Sequence, residues 1–280
     1  MYNKEKIITN RKSTFDYIAE IWESKELLWI LAKRDIIVKY KQTILGIGWS
    51  VVRPLITTIV MAFAFGKIGN LDTNTAIPYT LVVAPGVIVW LFFSQSLQAL
   101  SQSIVMNANL VSKVYFPRLI IPLSTIFLGL VDVIISLGLF LILCFWYQYV
   151  PDWKIVFVPL LLLLTFLSTF GIGLLSAVLN VKFRDIGQII PFIIQFGYFI
   201  SPVAYLTVNA KDKFSNPLLY KLFLLNPVTG VIDAMRWAML GDFAKFNWDS
   251  FIPLIVFIVV TFFISYRFFR KHENSFVDHI

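Results

Sequence analysis

Long apolar blocks alternate with short polar ones along this chain. Six stretches, at approximately 48–66, 77–97, 119–147, 155–179, 186–206 and 251–269, are mainly apolar. A helix needs about 20 such residues to cross a hydrocarbon core roughly 30 Å thick. Lipid offers no partner for backbone N–H and C=O groups, so spanning segments of this length must be helical. The ten-residue alternation of a membrane β-barrel is not seen. The pattern predicts an all-α integral membrane protein: a tail with an interfacial amphipathic helix over 1–47, then one six-span domain over 48–280.

Two regions are neither simple spans nor simple loops. Residues 13–42 mix Trp22, Leu27, Leu28, Trp29 and Leu31 with Lys33, Arg34, Asp35, Lys39 and Lys41. Their longest uncharged run, LLWILA, is too short to cross. A basic, aromatic-bearing helix of this kind lies in a membrane surface, or packs as a soluble amphipathic helix on a partner. Residues 207–250 carry an apolar piece broken by Pro217, Lys221, Pro227, Asp233 and Arg236. Short helices dipping into the outer face suit it better than a seventh span, which would leave the basic C-terminus outside.

Composition agrees. Apolar residues make up 58% of the chain and charged residues 14%, against roughly 45–50% and 25% in soluble domains. The mean hydropathy is +0.78. The net charge of +8 sits between apolar blocks, which points to membrane topology and not to nucleic acid. Lys and Arg crowd residues 1–47 and recur at Lys113, Arg118, Lys182, Arg184, Arg267, Arg270 and Lys271. The short opposite loops hold only Lys67 and Lys154. The positive-inside rule then puts both termini in the cytoplasm. The polar N-terminal stretch predicts no cleavable signal peptide. A single cysteine, Cys144, allows no intramolecular disulfide and reads as a small buried hydrophobe.

Candidate chemistry is sparse. Both histidines lie in the C-terminal tail, so a metal-binding cluster is not expected. No G-x-x-x-x-G-K-[ST] phosphate loop is present. Asp132 is the one carboxylate within the spans, so no acid–base pair is available there. It falls near the middle of span three, where a charge costs at least about 2.5–3.5 kcal/mol and faces protein or water. It could pair with Arg53 in span one, accept hydrogen bonds from a neighbouring helix, or relay a proton. Pro54, Pro85, Pro191 and Pro202 each remove a helical hydrogen bond within a span. Span five carries two stripes: Phe192, Phe196, Phe199 and Val203, and the polar-aromatic set Gln188, Gln195, Tyr198, Ser201 and Tyr205. Aromatic faces and amide groups suit sugar rings and hydroxyls; helix packing accounts for the Phe residues equally well.

Four stretches carry a resemblance. They are AKRDIIVKYKQTILGIGW followed by RP (32–54), NANLVSKVYFPRLIIP (107–122), LNVKFRDI (179–186) leading to SPVAY (201–205), and LNPVTGVIDAMRW (225–237). Over about 25–270 the chain resembles the permease subunits of ABC-2-type exporters of O-antigen, teichoic acid and related polysaccharides. The resemblance implies a homodimer with a channel between its copies, two separate ATPase subunits that carry ATP and Mg, and a bacterial cytoplasmic membrane location. The chain itself would bind no cofactor, and the cargo would be a glycan on a polyprenyl diphosphate. The segment 107–118 looks like the coupling helix, through Asn109, Leu110, Lys113, Val114, Phe116 and Arg118. Leu110, Val114 and Arg118 share one helical face, and Pro117 should end that helix. Lys33, Arg34, Lys39, Tyr40 and Lys41 sit at the level where a diphosphate headgroup would arrive, and would equally attract ordinary anionic lipids. Trp49, Arg53, Gln188, Gln195, Phe196, Tyr198, Phe199 and Tyr205 are candidates for the channel. Asn226, Pro227 and Arg236 fall in an outer gate region at about 207–250. The rival readings are another ABC-2-type exporter, of drugs or lipids, and an integral membrane glycosyl- or acyltransferase. The latter would need clustered Asp, Glu or His at the bilayer face, and none is found.

Overall fold

The computed structural model describes residues 14–41, 44–71, 77–211, 214 and 216–276. Helices make up its regular structure, with no strand among the described residues. Two helices lead in, α1 (Thr14–Glu23) and α2 (Lys25–Lys41). On α1, Phe15, Ile18 and Trp22 are exposed at helical spacing, an apolar stripe suited to a membrane surface. The first span, α3 (Gly48–Met61), runs on into a π-helix at Ala62–Ile68. Then come α4 (Tyr79–Met106), α5 (Ala108–Lys113), α6 (Ile120–Ser124), α7 (Ile126–Trp146) and α8 (Val158–Lys182). The chain finishes with α9 (Ile186–Ile200), α10 (Thr207–Lys211), α11 (Pro217–Leu224), α12 (Pro227–Leu240) and α13 (Trp248–His272).

Five helical stretches are long and apolar enough to cross a membrane: Gly48–Ile68, Tyr79–Met106, Ile120–Trp146, Trp153–Lys182 and Trp248–Ser275. They match the predicted spans one to four and six, with shifted ends. The second continues to Met106, where the sequence pattern suggested a loop from 98. Its last turns lack the apolar density of a span, yet Leu100, Ser101, Ser103 and Ile104 are buried. Packing against α8 keeps them helical beyond the apolar block. The fifth predicted span is cut short: α9 stops at Ile200, and 201–206 is irregular. At ~1.5 Å per residue α9 rises about 22 Å, less than the hydrocarbon thickness. α11 and α12 meet at a 75° bend, matching the expectation of short helices in place of a seventh span. The apolar piece changes direction at Asn226–Pro227, where the Asn226 side chain accepts from Val228 N and caps α12.

Helix α4 is the buried centre, packed by α3, α7, α8, α9 and α12, with α13 laid across α8 and α12. No hydrophobic effect draws helices together within lipid, so close packing and small residues do. A Cβ on Gly173 would lie 2.7 Å from the Leu100 side chain, so α8 needs glycine there to reach α4. Buried hydroxyls bond back to their own helix, as Thr165 does to Leu161 O at 2.8 Å and Ser168 to Thr165 O at 2.8 Å. Asn180 joins three helices: its Nδ2 donates to Ser101 O (3.0 Å), and its Oδ1 accepts from Gly187 N (3.0 Å). Cys144 is buried and free.

Candidate functional site

The N-terminal helices, the 107–118 segment and the C-terminal end lie on one face. Tyr17 of α1 donates to Glu273 (2.8 Å), Arg270 pairs with Glu273 (2.5 Å), and the Arg270 guanidinium lies 3.9 Å from the Tyr17 ring centroid. Burial, and then the Glu273 charge, hold the Tyr17 phenol well above its ordinary pKa. Arg34 of α2 donates to Asp35 and to Asn107, both at 2.7 Å. The first helices, the 107–118 segment and the last helix are thus tied together.

The predicted coupling helix is shorter than its residues suggested. α5 ends at Lys113, and Val114 is already extended, with φ −126° and ψ 136°. Pro117 therefore does not set the end of the helix. Leu110, Val114 and Arg118 do not form one helical face. Asn109, Lys113, Val114 and Tyr115 are exposed, and Leu110 is half-buried. Phe116 is buried, and Arg118 turns inward, with its guanidinium 6.0 Å from the Phe276 ring centroid. The outward surface is therefore Asn109, Lys113, Val114 and Tyr115, while Phe116 and Arg118 belong to its foundation.

A second cluster lies between α2, α3, α4 and α7. Asp132 accepts from Lys39 Nζ (2.5 Å), from Tyr40 Oη (2.7 Å) and from Ser50 Oγ. Lys39 also donates to Gln95 (3.3 Å). The pairing with Arg53 is not formed; Asp132 instead pins the end of α2 to the first span. Burial pushes the Tyr40 phenol up to about 12. A cleft beside this cluster, with ≈ 80 Å³ of room for water-sized occupants, is lined by Lys39, Tyr40, Trp49, Arg53 and Gln95 among others. Arg53 is exposed, and its guanidinium lies 6.0 Å from the Trp49 ring centroid. It makes no ion pair with any described residue. Three sets that the sequence kept apart, the headgroup residues Lys39 and Tyr40, the channel residues Trp49 and Arg53, and the lone Asp132, thus share one site. Lys33 and Lys41 remain exposed.

The third cluster explains the break after α9. Arg236 is 1% exposed. It donates to Val82 O (3.1 Å), Tyr205 O (2.8 Å) and Val203 O (2.7 Å). Tyr79 donates to Ala204 O (2.5 Å), and Asn226 to Ser201 Oγ (2.9 Å). The irregular SPVAY backbone is buried in protein, where side chains replace the missing helical partners. A Cβ on Gly86 would lie 2.4 Å from Val203 O, so glycine lets SPVAY lie against α4. One turn before Arg236, Asp233 accepts from Thr207 (2.5 Å), Asn247 (3.0 Å) and Ser250 (2.9 Å). Arg236 and Asp233 therefore fasten α12 to its surroundings through separate partners.

The candidate channel residues of α9 and of the segment after it divide. Gln188, Gln195, Phe196 and Phe199 are exposed. Tyr198 packs on Trp90 with ring centroids 5.5 Å apart, and Tyr205 packs against Phe223. Gln188 and Gln195, two turns apart, put amides on an apolar surface, where contact with lipid would leave them without partners. The sequence readings missed Tyr17, Tyr79, Gln95, Asn180, Thr207, Asn247 and Glu273. Each works through a residue distant in sequence, and of these Asn247, whose side chain also accepts from Asp249 N to cap α13, carries a local signal.

These features, several apolar helices long enough to span, tied at one face to short helices, with a buried irregular segment after α9, define an all-α integral membrane protein. Residues 26–240 match the sequence model described as ABC-2 type transporter, and the chain belongs to that family. It is 27% identical over 257 residues to the O-antigen export system permease protein RfbA of Klebsiella pneumoniae, covering 90% of this chain and 94% of that protein. Similarity to the protein of the same name in Myxococcus xanthus is 24% over 263 residues, covering 94% and 98%. Similarity to the polysialic acid transport protein KpsM of Escherichia coli is 23% over 247 residues, covering 86% and 92%.

Proposed function

We propose that this chain is the membrane subunit of an ATP-driven exporter of a cell-surface polysaccharide carried on a polyprenyl diphosphate. Likeness over nine tenths of the chain to permeases named for O-antigen export carries this reading. In it, two copies of the chain enclose a channel in the bacterial cytoplasmic membrane, and both termini are cytoplasmic. Two separate ATPase subunits bind ATP and Mg and dock beneath. Exposed Asn109, Lys113, Val114 and Tyr115 form the docking surface, and the network around Arg34, Asn107, Tyr17 and Glu273 transmits the motion.

The exposed amides Gln188 and Gln195, with Phe196 and Phe199, supply polar and aromatic contacts for sugars along the channel. Arg53 is a further anion-binding group for the diphosphate, with Lys33 and Lys41 nearby in sequence. Lys39 and Arg34 already have side-chain partners and serve mainly to hold the structure. The test is transport by the chain reconstituted with its ATPase in vesicles. ATP-dependent translocation of a lipid-linked glycan, and none of a lipophilic drug or free phospholipid, is the expected result. Transport of the drug or the phospholipid with no glycan movement would replace this reading with another ABC-2-type export activity.

A further inference from the structure

The far half of α3 buries Thr58 against its neighbours but leaves Ile56, Ile59 and Val60 exposed. It is fastened near its start, where Ser50 meets Asp132, and at the π-helical end, where Gly66 lies against Tyr79. A Cβ on Gly66 would sit 2.9 Å from the Tyr79 ring, so the chain needs glycine to close that contact. Between the two fastenings a groove opens among α3, the start of α4 and the end of α7. It has ≈ 790 Å³ of room for water-sized occupants, within the roughly 300–1,000 Å³ of ligand sites. Leu55, Ile59, Phe63 and Leu143 give it apolar walls.

Its rim has a different chemistry. Lys67 is exposed there and makes no ion pair with any described residue. Trp146 and Tyr147 stand on the same rim, as amphipathic aromatics do at headgroup level. From Leu55 to Lys67 the helix rises at most about 18 Å, the α-helical ~1.5 Å per residue being an upper bound for its tighter π-helical end. Half of a roughly 30 Å hydrocarbon core is about 15 Å. An apolar slot one leaflet long with a cation at its mouth is complementary to a lipid with one leaflet-length chain and a phosphate.

We propose that the groove seats an acyl chain of a glycerophospholipid whose phosphate rests on Lys67, one lipid for each copy of the chain. The length favours this occupant over a long isoprenoid phosphate, whose chain would overrun the slot. The lipid fills the seam between α3 and α7 and holds the first span where its two fastenings leave it. This site lies on a different part of α3 from Arg53, and the assignment requires only that the chain span a membrane.

The test is native mass spectrometry of the full chain in mild detergent with added dioleoyl phosphatidylglycerol. One tightly held phosphatidylglycerol per chain is expected. Lys67→Glu and Ile59→Trp should each lower its occupancy about tenfold, whereas Lys245→Glu, an exposed lysine outside the groove, should not. Both test positions are exposed, so their variants should keep the wild-type gel-filtration profile. Unchanged occupancy in both variants would overturn the site. Equal retention of dioleoylglycerol would remove the phosphate contact, and preferential retention of a polyprenyl phosphate would replace the proposed occupant.

Discussion

Asp132 and Arg236 meet the same problem, a charge at membrane depth, in two ways. Asp132 gathers three donors from α2 and the first span. Hydrogen bonds to a charged group contribute about 1.5–3 kcal/mol each, but the Lys39 side chain is 26% exposed, which screens its share. Asp132→Ala should therefore cost about 2 kcal/mol, seen as a lower unfolding temperature in detergent. Lys39→Met should cost less, and the double variant less than the sum, since each removes the other's partner. Strict additivity would mean that the pair does not couple. Arg236 has three carbonyl partners and is fully buried, so Arg236→Met should strand the carbonyls of Val203 and Tyr205, whereas Val82 O keeps its place in the α4 helix. At ~1–3 kcal/mol for each unsatisfied group, the loss should reach several kcal/mol, and Arg236→Lys should recover part of it. A wild-type unfolding temperature for Arg236→Met would show that SPVAY does not depend on this side chain. That Asp132 was special was legible in the sequence, because a charged residue in apolar surroundings needs partners, whereas Arg236 stood out as a break in an apolar piece and by resemblance. Their partners were not legible, because Lys39 is 93 positions from Asp132 and Val82 is 154 from Arg236.

At the scale of elements, the 107–118 segment is the part most open to a decisive experiment. Its apolar residues do two jobs. Val111 and Phe116 are buried against the rest of the protein, whereas Val114 and Tyr115 are 51% and 60% exposed. If the exposed pair forms the docking surface, Val114→Asp with Tyr115→Asp should leave insertion and folding intact. Binding to the ATPase and export should then fall together by at least tenfold. A variant that binds the ATPase with wild-type affinity would remove the docking role. Phe116→Asp does not serve this purpose, since a buried charge would also destabilise the fold. The short helix and its proline were visible in sequence. The extended turn at Val114 was not, because nothing in the local pattern says which apolar side chains find a neighbour.

Across the whole molecule, the contact of Tyr17 with Glu273 puts the start and end of the described chain on one face. In the proposed topology that face is cytoplasmic, as the positive-inside rule predicts. With Cys144 replaced by serine, single cysteines at Lys113 and at Asp152 should report opposite sides. A membrane-impermeant thiol reagent applied from outside should label the cysteine at 152 and spare the one at 113. The reverse labelling would invert the topology. If two copies enclose the channel along α9, a cysteine in place of Phe196 should cross-link one copy to the other under oxidation, whereas one in place of Phe263, exposed on α13, should not. Cross-linking through Phe263 alone would move the interface to the other side of the protein.

The sequence by itself determined what depends on composition and spacing along the chain: an all-α membrane protein, its first four spans and its last, and the broken stretch before the last span. Those follow because lipid forces the backbone into helices wherever about 20 apolar residues run together. Only the tertiary structure decided where α9 stops, which donors surround Asp132, and which face of 107–118 looks outward. The stop at Ile200 depends on Arg236 and Tyr79 satisfying a non-helical backbone, and the length of α4 on Leu100 packing against Gly173. Each of these is a contact between residues far apart in the chain, for which no local pattern of apolar and polar positions carries a mark.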